Sequence, residues 1–265
     1  MIADVTFGQY YETNSFLHRL DPRIKILILI AYVVFIFVAS NFYALLALAL
    51  FLFLAIALSN VPVLDVIKSL KAILFIIIIT VVLNLFFYQS ETKTVLFWII
   101  TKEALIFSAF MAIRLIILVS GSVLLTFTTT PVQLTDGIES LLSPLKAIKF
   151  PVHELALVMS IALRFIPILT GEADRIIMSQ KARGADFESG NILKRAKAMI
   201  PVLIPLLISA FRRAEELGDA MDSRCYSSSS VRTKYKQLKI THCDVVAVVV
   251  SLIFFTGVIL AGAML

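Results

Sequence analysis

Two arginines, each at the end of a predicted helix, are the residues whose type and position best suit a chemical role. The last carbonyls of a helix lack partners within the helix and carry partial negative charge, so a cation is stabilised there. A guanidinium on a stiff helix can also make a forked contact with a carboxylate of another protein. The two tripeptides are Ala182-Arg183-Gly184 and Ser223-Arg224-Cys225. One such arginine is most simply a solvated helix-end charge, whereas the repeated pattern favours contact with a partner.

The sequence lacks the patterns of a catalytic or metal centre. No Gly-x-x-x-x-Gly-Lys phosphate loop occurs, because Gly184 and Gly190 are wrongly spaced and no lysine follows the second. There is no nucleophile elbow and no paired-carboxylate arrangement. The histidines and cysteines lack metal-ligand spacing; they are His18, His153, His242, Cys225 and Cys243. We therefore expect no catalytic residue, no metal and no cofactor in this chain, which cannot hydrolyse ATP by itself.

Each arginine follows a long helical pattern that is apolar first and charged at its end. The first pattern is apolar from Leu155 to Leu169 and stops at residues 180–187. The second begins near Asn191, is apolar from Ile200 to Phe211 and stops at residues 220–226. We interpret the apolar halves as buried scaffold in preference to a substrate-binding stripe.

Three prolines lie inside these patterns, namely Pro167, Pro201 and Pro205. Each removes a helix hydrogen bond and clashes with the preceding turn, so we expect bent rods. Gly184 can take the left-handed conformation that ends a helix, whereas Cys225 leaves the geometry of the second ending open. Glu172 and Arg175, three residues apart, are typical of a weak surface pair.

Composition places the chain in a membrane. Its 265 residues are 60% hydrophobic, with a mean hydropathy of +0.96, against roughly 45 to 50% apolar residues in soluble domains. The net charge of +6 could suggest nucleic acid, but the basic residues lie beside apolar segments, where they control membrane orientation. We therefore expect the lipid bilayer, and not nucleic acid, as a partner.

The apolar segments predict about five membrane-spanning helices, since each span needs roughly 20 residues. Residues 24–58 are slightly few for two spans, and we interpret them as two short ones, with a span and a re-entrant segment as the alternative. Residues 60–71 are interpreted as a short polar connection and residues 89–103 as an outer loop. The remaining predicted spans are Ala72–Tyr88, Ala104–Phe127 and Val245–Leu265.

Two polar residues inside these spans are predicted to be structural. Arg114 costs about 2.5 to 3.5 kcal/mol on insertion scales, so carbonyls of the bundle or snorkelling must compensate for it. We favour this role over one in transport. Asn84 is expected to bond a neighbouring helix, and the small residues of Ser120-Gly121-Ser122 permit close helix approach.

Loop charge sets the orientation. Residues 131–242 hold 16 of the 24 lysines and arginines, which predicts that this region is cytoplasmic. Four preceding spans then place the N-terminus in the cytoplasm, and one following span places the C-terminus outside. We therefore expect a cytoplasmic segment 1–23, membrane helices in 24–130, a cytoplasmic domain with the two arginine-tipped helices in 131–242 and a final membrane helix in 243–265.

The arginine tripeptides resemble the paired Ala-Arg-Gly coupling motifs of the transmembrane T component of energy-coupling factor transporters. Other stretches agree, and together with the tripeptides they cover residues 16 to 226: Leu20-Asp21-Pro22-Arg23-Ile24-Lys25, Thr128-Thr129-Thr130-Pro131, Leu142-Ser143-Pro144-Leu145 and Ile161-Ala162-Leu163-Arg164-Phe165-Ile166-Pro167. Ser223 and Cys225 depart from the family's small residues around the second arginine.

This resemblance implies an all-α polytopic membrane protein with a cytoplasmic coupling region of long bent helices. It also implies a non-enzymatic scaffold that links two ATP-binding-cassette ATPases, which bind ATP and magnesium, to a membrane-embedded, substrate-binding S component for uptake of vitamins or other micronutrients. Each ATPase would take one arginine tip.

Two other classes compete with this interpretation. A self-sufficient secondary transporter is disfavoured by the scarcity of charge in the spans and by the lack of internal repeats. A membrane-embedded enzyme is disfavoured because no catalytic set is visible. Co-purified ATPases and a small membrane partner would favour the coupling scaffold over both.

Overall fold

The structure is a computed structural model that describes residues 10–39, 41–71, 73–87, 95–97, 100–148, 150–187, 189, 191–226, 238 and 240–264. Its helices are α1 (Phe16–Arg19), α2 (Pro22–Val38), α3 (Phe42–Ser59), α4 (Val63–Lys71), α5 (Leu74–Phe87), α6 (Lys102–Thr128), α7 (Pro131–Leu141), α8 (Val152–Ala182), α9 (Ile192–Ser223) and α10 (His242–Met264). A 3-10 turn covers Ser143–Ile148, and the short strands β1 (Val95–Phe97) and β2 (Ile100–Thr101) pair antiparallel. The predicted all-α class is confirmed, with this small hairpin added.

The chain folds as two compact units. One includes His153–Gln237 and contains α8 and α9, and we call it the coupling-helix unit. The other, the bundle unit, comprises Gly8–Val152 with Leu238–Leu265. Residues 131–152 were predicted to belong to the cytoplasmic domain with the two arginine-tipped helices. In the structure they cluster with the bundle unit, where α7 packs against α2.

The bundle unit has its core between α2, α3, α6 and α10. Ile36, Leu45 and Leu48 are fully buried there. Gly121 of α6 lies so close to α2 that an added Cβ would stand 2.6 Å from Cε1 of Tyr32. The close helix approach predicted at this glycine is therefore confirmed, because a larger side chain would force the helices apart.

Side-chain caps explain where two helices of the bundle begin. Asp21 is the N-cap of α2, and its Oδ1 accepts a hydrogen bond of 2.9 Å from the backbone N–H of Arg23. Thr130 and Gln133 form a reciprocal capping box at the start of α7. Both helices also start with a proline, which is preorganised for the first turn.

The apolar block 24–58 contains two helices, α2 with 17 residues and α3 with 18. At 1.5 Å per residue, each is about 26 Å long, slightly short of a hydrocarbon core of roughly 30 Å. The predicted spans Ala104–Phe127 and Val245–Leu265 correspond to α6 and α10.

Residues 60–71 differ from the prediction of a polar connection. Val63–Lys71 within them forms the amphipathic helix α4, which buries Val66, packs against α6 and meets α5 at an angle of 61°. Its charged residues fall on the exposed side of a 3.6-residue period, and this explains why a count of polar residues suggested a loop. Tyr88, and most of the predicted outer loop at 89–103, lie outside the described residues.

Helices long and apolar enough to cross a membrane number three in the described part of the chain, or four when α4 and α5 count as one bent span. The three are α3, α6 and α8. The apolar first half of α8 brings it into this set, although the charge distribution predicts that it lies in the cytoplasm. A multi-pass membrane protein is confirmed, and the sidedness of α8 stays a prediction.

The coupling-helix unit is built from two helices of nearly equal length, 31 residues in α8 and 32 in α9. Their ends agree with the predicted ones, since α8 stops at Ala182 and α9 starts after the N-cap Asn191. All three prolines lie inside helices that continue across them. The bends expected at these prolines stay a prediction.

Candidate coupling site at the two helix ends

The end of α8 is a Schellman motif. Gly184 has a φ of +86°, and its N–H donates to the carbonyl of Lys181 at 3.0 Å. The N–H of Ala185 donates to the carbonyl of Gln180, also at 3.0 Å. These are the 5→2 and 6→1 hydrogen bonds of that motif, and they place Arg183 at the C-cap.

The end of α9 repeats this geometry. Cys225 has a φ of +54°, and its N–H donates to the carbonyl of Asp222 at 2.8 Å. The N–H of Tyr226 donates to the carbonyl of Met221 at 2.9 Å, with Arg224 at the C-cap. The ending that the sequence left open is thus another Schellman motif, with cysteine where the first has glycine. The left-handed conformation costs a side chain with a Cβ about 1 to 2 kcal/mol.

Both tip arginines face outward. Arg183 and Arg224 are exposed, as are their neighbours Ala182, Gly184, Ser223 and Cys225. Neither guanidinium has a hydrogen-bond or ion-pair partner among the residues that the structure describes. Within the described part of the chain each therefore has its N–H donors unused, and such donors can bond a carboxylate of another protein.

A polar contact joins the two long helices before their tips. Arg213 of α9 donates to Oε2 of Glu172 on α8 through Nη2 at 2.9 Å and through Nε at 3.2 Å. Ser209 of α9 donates through its hydroxyl to the other oxygen, Oε1. Both carboxylate oxygens of Glu172 are thus bonded to α9.

The partner of Glu172 is not the predicted one, Arg175. Arg175, on the same helix, donates through Nε to the carbonyl of Gly171 at 3.2 Å and does not pair with Glu172. Spacing within one helix identifies only local pairs, whereas the actual partners lie 37 and 41 positions further along the chain. Hydrogen bonds from Ser209 and Arg213 lower the pKa of Glu172, and the charges of Arg213 and Arg175 act in the same direction.

The contact lies at matching positions on the two helices. Glu172 is 11 residues before Arg183, and Arg213 is 11 residues before Arg224. With a rise of 1.5 Å per residue, each arginine lies about 16 Å beyond the contact along its own helix.

One face of α9 carries a stripe of exposed apolar side chains at helical spacing. It consists of Ile200, Leu203, Ile204, Leu207, Ile208 and Phe211. The burial expected for this half is not found among the residues that the structure describes. Exposed apolar side chains in such a row suit contact with lipid or with another protein.

In the bundle unit, two of the stretches that carry the family resemblance, residues 20–25 and 128–131, meet at one polar cluster. The ammonium of Lys25 donates to the carbonyl of Thr128 at 2.8 Å and to the hydroxyl of Thr129 at 3.3 Å. Asp244 of α10 accepts the backbone N–H of Asp21 at 2.7 Å. A cation thus lies at the C-terminal end of α6 and a carboxylate at the N-terminal end of α2. Each charge is opposite in sign to the partial charge of that helix end, which is a stabilising arrangement. Asp244 could not be identified as a functional residue from sequence spacing, because its partner lies 223 positions away.

The two predicted intramembrane residues occupy different settings. The Nη2 of Arg114 donates to the carbonyl of Ala39 at 2.6 Å, and its guanidinium carbon lies 4.7 Å from the centroid of the Phe110 ring. Ala39 is the C-cap of α2, so the cation caps a helix end within the bundle. Asn84 is half-buried on α5, and its side chain makes no hydrogen bond to another described residue.

Among the residues that the structure describes, no three histidine, cysteine or acidic side chains lie close enough together to hold a metal ion. Cys225 and Cys243 are free and exposed. At His18, burial is the main cause of a lowered pKa.

A bundle of apolar helices and a unit of two long helices with exposed cationic ends define a multi-pass membrane protein. Comparison with known proteins narrows this class. The family model described as CbiQ, cobalt transport protein, matches residues 13–235. The chain therefore belongs to this family of membrane transport proteins.

The curated relatives match over nearly the whole chain, and each is named energy-coupling factor transporter transmembrane protein EcfT. The protein of Ruminiclostridium cellulolyticum is 50% identical over 264 residues, 98% of each chain. That of Clostridium kluyveri is 46% identical over 256 residues, 96% of this chain and 95% of its own. That of Bacillus subtilis is 41% identical over 263 residues, 98% of both. The resemblance noted from the arginine tripeptides is confirmed.

Proposed function

We propose that the chain is the non-enzymatic coupling scaffold of an energy-coupling factor importer. It links two cytoplasmic ATP-binding-cassette ATPases to a membrane-embedded S component that binds a vitamin or another micronutrient. The observation that carries the proposal is the repeated helix ending, with one exposed guanidinium at each C-cap that has no partner among the described residues. Two equivalent endings suit two equivalent partners.

The recognition chemistry at each tip is a charge-assisted contact. A guanidinium held at a helix end can place two parallel N–H groups on an acidic side chain of an ATPase. The Schellman motif fixes the backbone of the C-cap residue, so little conformational entropy remains to be lost there on binding. ATP and magnesium would be bound by the ATPases.

Force would travel along the helices themselves. The 31 residues of α8 span about 47 Å, and a displacement of the tip would pass along the helix to its apolar half, across the bend expected at Pro167. The exposed stripe on α9 is suited to cover an apolar surface of the S component. The substrate would bind to the S component and not to this chain.

The proposal includes an orientation. Lys and Arg concentrate in residues 131–242, which supports a cytoplasmic position for both tips. The N-terminus would then be cytoplasmic and the C-terminus outside.

Purification of the tagged full-length chain from its native membrane in a mild detergent tests this function. We expect two ATPase polypeptides, or two copies of one, together with a small membrane protein that retains substrate. A chain that purifies at normal yield without any ATPase would contradict the proposal.

A further inference from the structure

We propose that Glu172, Arg213 and Ser209 form the joint that sets the spacing of the two arginine tips and passes the movement of one tip to the other. Glu172 and Arg213 are positioning residues in this account, because they would act through the tips. The transport part of the inference rests on the proposed function, whereas the geometric part concerns this chain alone.

The bonding at this contact specifies an angle as well as a distance. The guanidinium of Arg213 reaches Oε2 of Glu172 with two of its nitrogens, and Ser209, one turn earlier on α9, reaches Oε1. Three donors on two oxygens hold the carboxylate plane relative to α9. A change in the angle at which α9 meets this carboxylate would strain at least one of the bonds.

The position of the contact along the two helices determines how far each tip would move. Because Glu172 and Arg213 each lie 11 residues before their tip, the two segments beyond the joint have equal length, about 16 Å. A change in crossing angle at the joint therefore displaces both tips by the same amount. A contact nearer to one tip would move the two ATPases unequally.

Stability alone does not account for this arrangement. The side chains of Arg213 and Glu172 are 34% and 21% exposed, and solvent screens an ion pair at that exposure, so it adds little to folding. Such a pair can still select one geometry among several of similar energy. Its removal should therefore alter the distance between the tips more than the yield of folded chain.

A spin-label distance measurement tests the joint without any partner. Labels would be attached at Ser179→Cys and Ala220→Cys, which are exposed and share the separation of 41 positions found at the tips, with Cys225 and Cys243 replaced by serine. In lipid nanodiscs we expect one narrow distance distribution for the otherwise unchanged chain. Arg213→Gln and Glu172→Gln should each broaden it at least twofold.

Two further variants serve as controls for this measurement. Arg212→Gln removes the neighbouring charge on α9 and should leave the distribution narrow. The exchange of Glu172→Arg with Arg213→Glu restores opposite charges and should narrow the distribution again. A narrow, unshifted distribution in Arg213→Gln would overturn the joint, as would equal broadening in Arg212→Gln.

The assembled transporter tests the transmission. Arg213→Gln should keep both ATPases bound while substrate uptake per ATP hydrolysed falls several-fold, and the charge exchange should recover most of this ratio. An unchanged ratio would show that the contact transmits nothing and would overturn that part of the inference. If the unmodified chain captured no ATPase, the proposed function would fail, and the distance measurement would still decide the joint.

Discussion

Gly184 and Cys225 occupy the same position in two copies of one helix ending, with φ values of +86° and +54°. Each follows a C-cap arginine, and each donates its N–H to the carbonyl three residues earlier. The second tip thus keeps the backbone of the first although its residue carries a side chain.

The first prediction concerns the strain at this cysteine. Cys225→Gly should stabilise the ending by about 1 kcal/mol, because glycine adopts the left-handed conformation without penalty. The amide of Tyr226, which donates to Met221, should then exchange roughly fivefold more slowly with deuterium. Cys225→Val should speed this exchange, since a β-branched residue disfavours positive φ. Equal exchange rates in all three chains would show that Cys225 is unstrained.

A second prediction follows from the lowered pKa of Glu172. The contact with Arg213 and Ser209 favours the carboxylate, so its stabilisation is fully present above the ordinary pKa of 4.5 and is lost as the pH falls through the lowered pKa. The distance distribution between labels at residues 179 and 220 should therefore be constant from about pH 7 to about pH 5 and broaden only in stronger acid. Glu172→Gln, which has no carboxylate to protonate, should not show this change. Broadening of the unmodified contact near pH 6 would contradict the bonding described.

Arg114 supplies a third prediction. Arg114→Leu leaves the carbonyl of Ala39 buried without its donor, which costs about 1 to 3 kcal/mol. The amount of folded chain in the membrane, or its capture of the S component, should fall, and the substrate affinity of assembled transporters should not change. Ser122→Ala is the matched control, because that hydroxyl bonds only within α6, to Leu118. Normal assembly with altered substrate affinity would assign Arg114 a role in transport.

The fourth prediction concerns orientation. A single cysteine at the exposed Glu215 of α9 should be protected from an impermeant thiol reagent in intact cells and react after permeabilisation. A cysteine at Glu91, which lies outside the described residues, should react from outside without permeabilisation. Labelling of position 215 in intact cells would show that the predicted topology is wrong.

Local sequence signals predicted several of the helix boundaries. Asp21 before Pro22 and Asn191 before a long periodic segment mark helix starts, and Gly184 marks an end, because capping depends on residues within one turn. The α4 helix was missed because Asp65, Lys68 and Lys71 made a short amphipathic segment look like a loop.

Contacts between residues far apart in the sequence could not be predicted from such local signals. Glu172 had a local candidate in Arg175, and nothing in the spacing indicated Arg213 or Ser209. The same holds for Asp21 and Asp244, which meet only because α2 and α10 begin at the same end of the bundle. The left-handed conformation of Cys225 could not be predicted either, because cysteine rarely adopts a positive φ. In the structure the C-terminal turn of α9 imposes this conformation despite the low propensity of cysteine for it.

The central claim is that each tip grips its own ATPase, and charge reversal at the tips tests it most directly. Retention of the ATPases and ATP-driven uptake would be measured for Arg183→Glu, Arg224→Glu and the double variant, at matched membrane levels, with Arg212→Glu as a control away from the tips. A broken desolvated charge contact costs about 2 to 5 kcal/mol, whereas a solvated helix-end charge contributes only about 0.3 to 1 kcal/mol. Because the two contacts reinforce each other at high effective concentration, each single variant should weaken the complex modestly and the double variant should lose both ATPases. A double variant that keeps both ATPases and transports at a near-normal rate would contradict the account and leave the arginines as solvated helix ends.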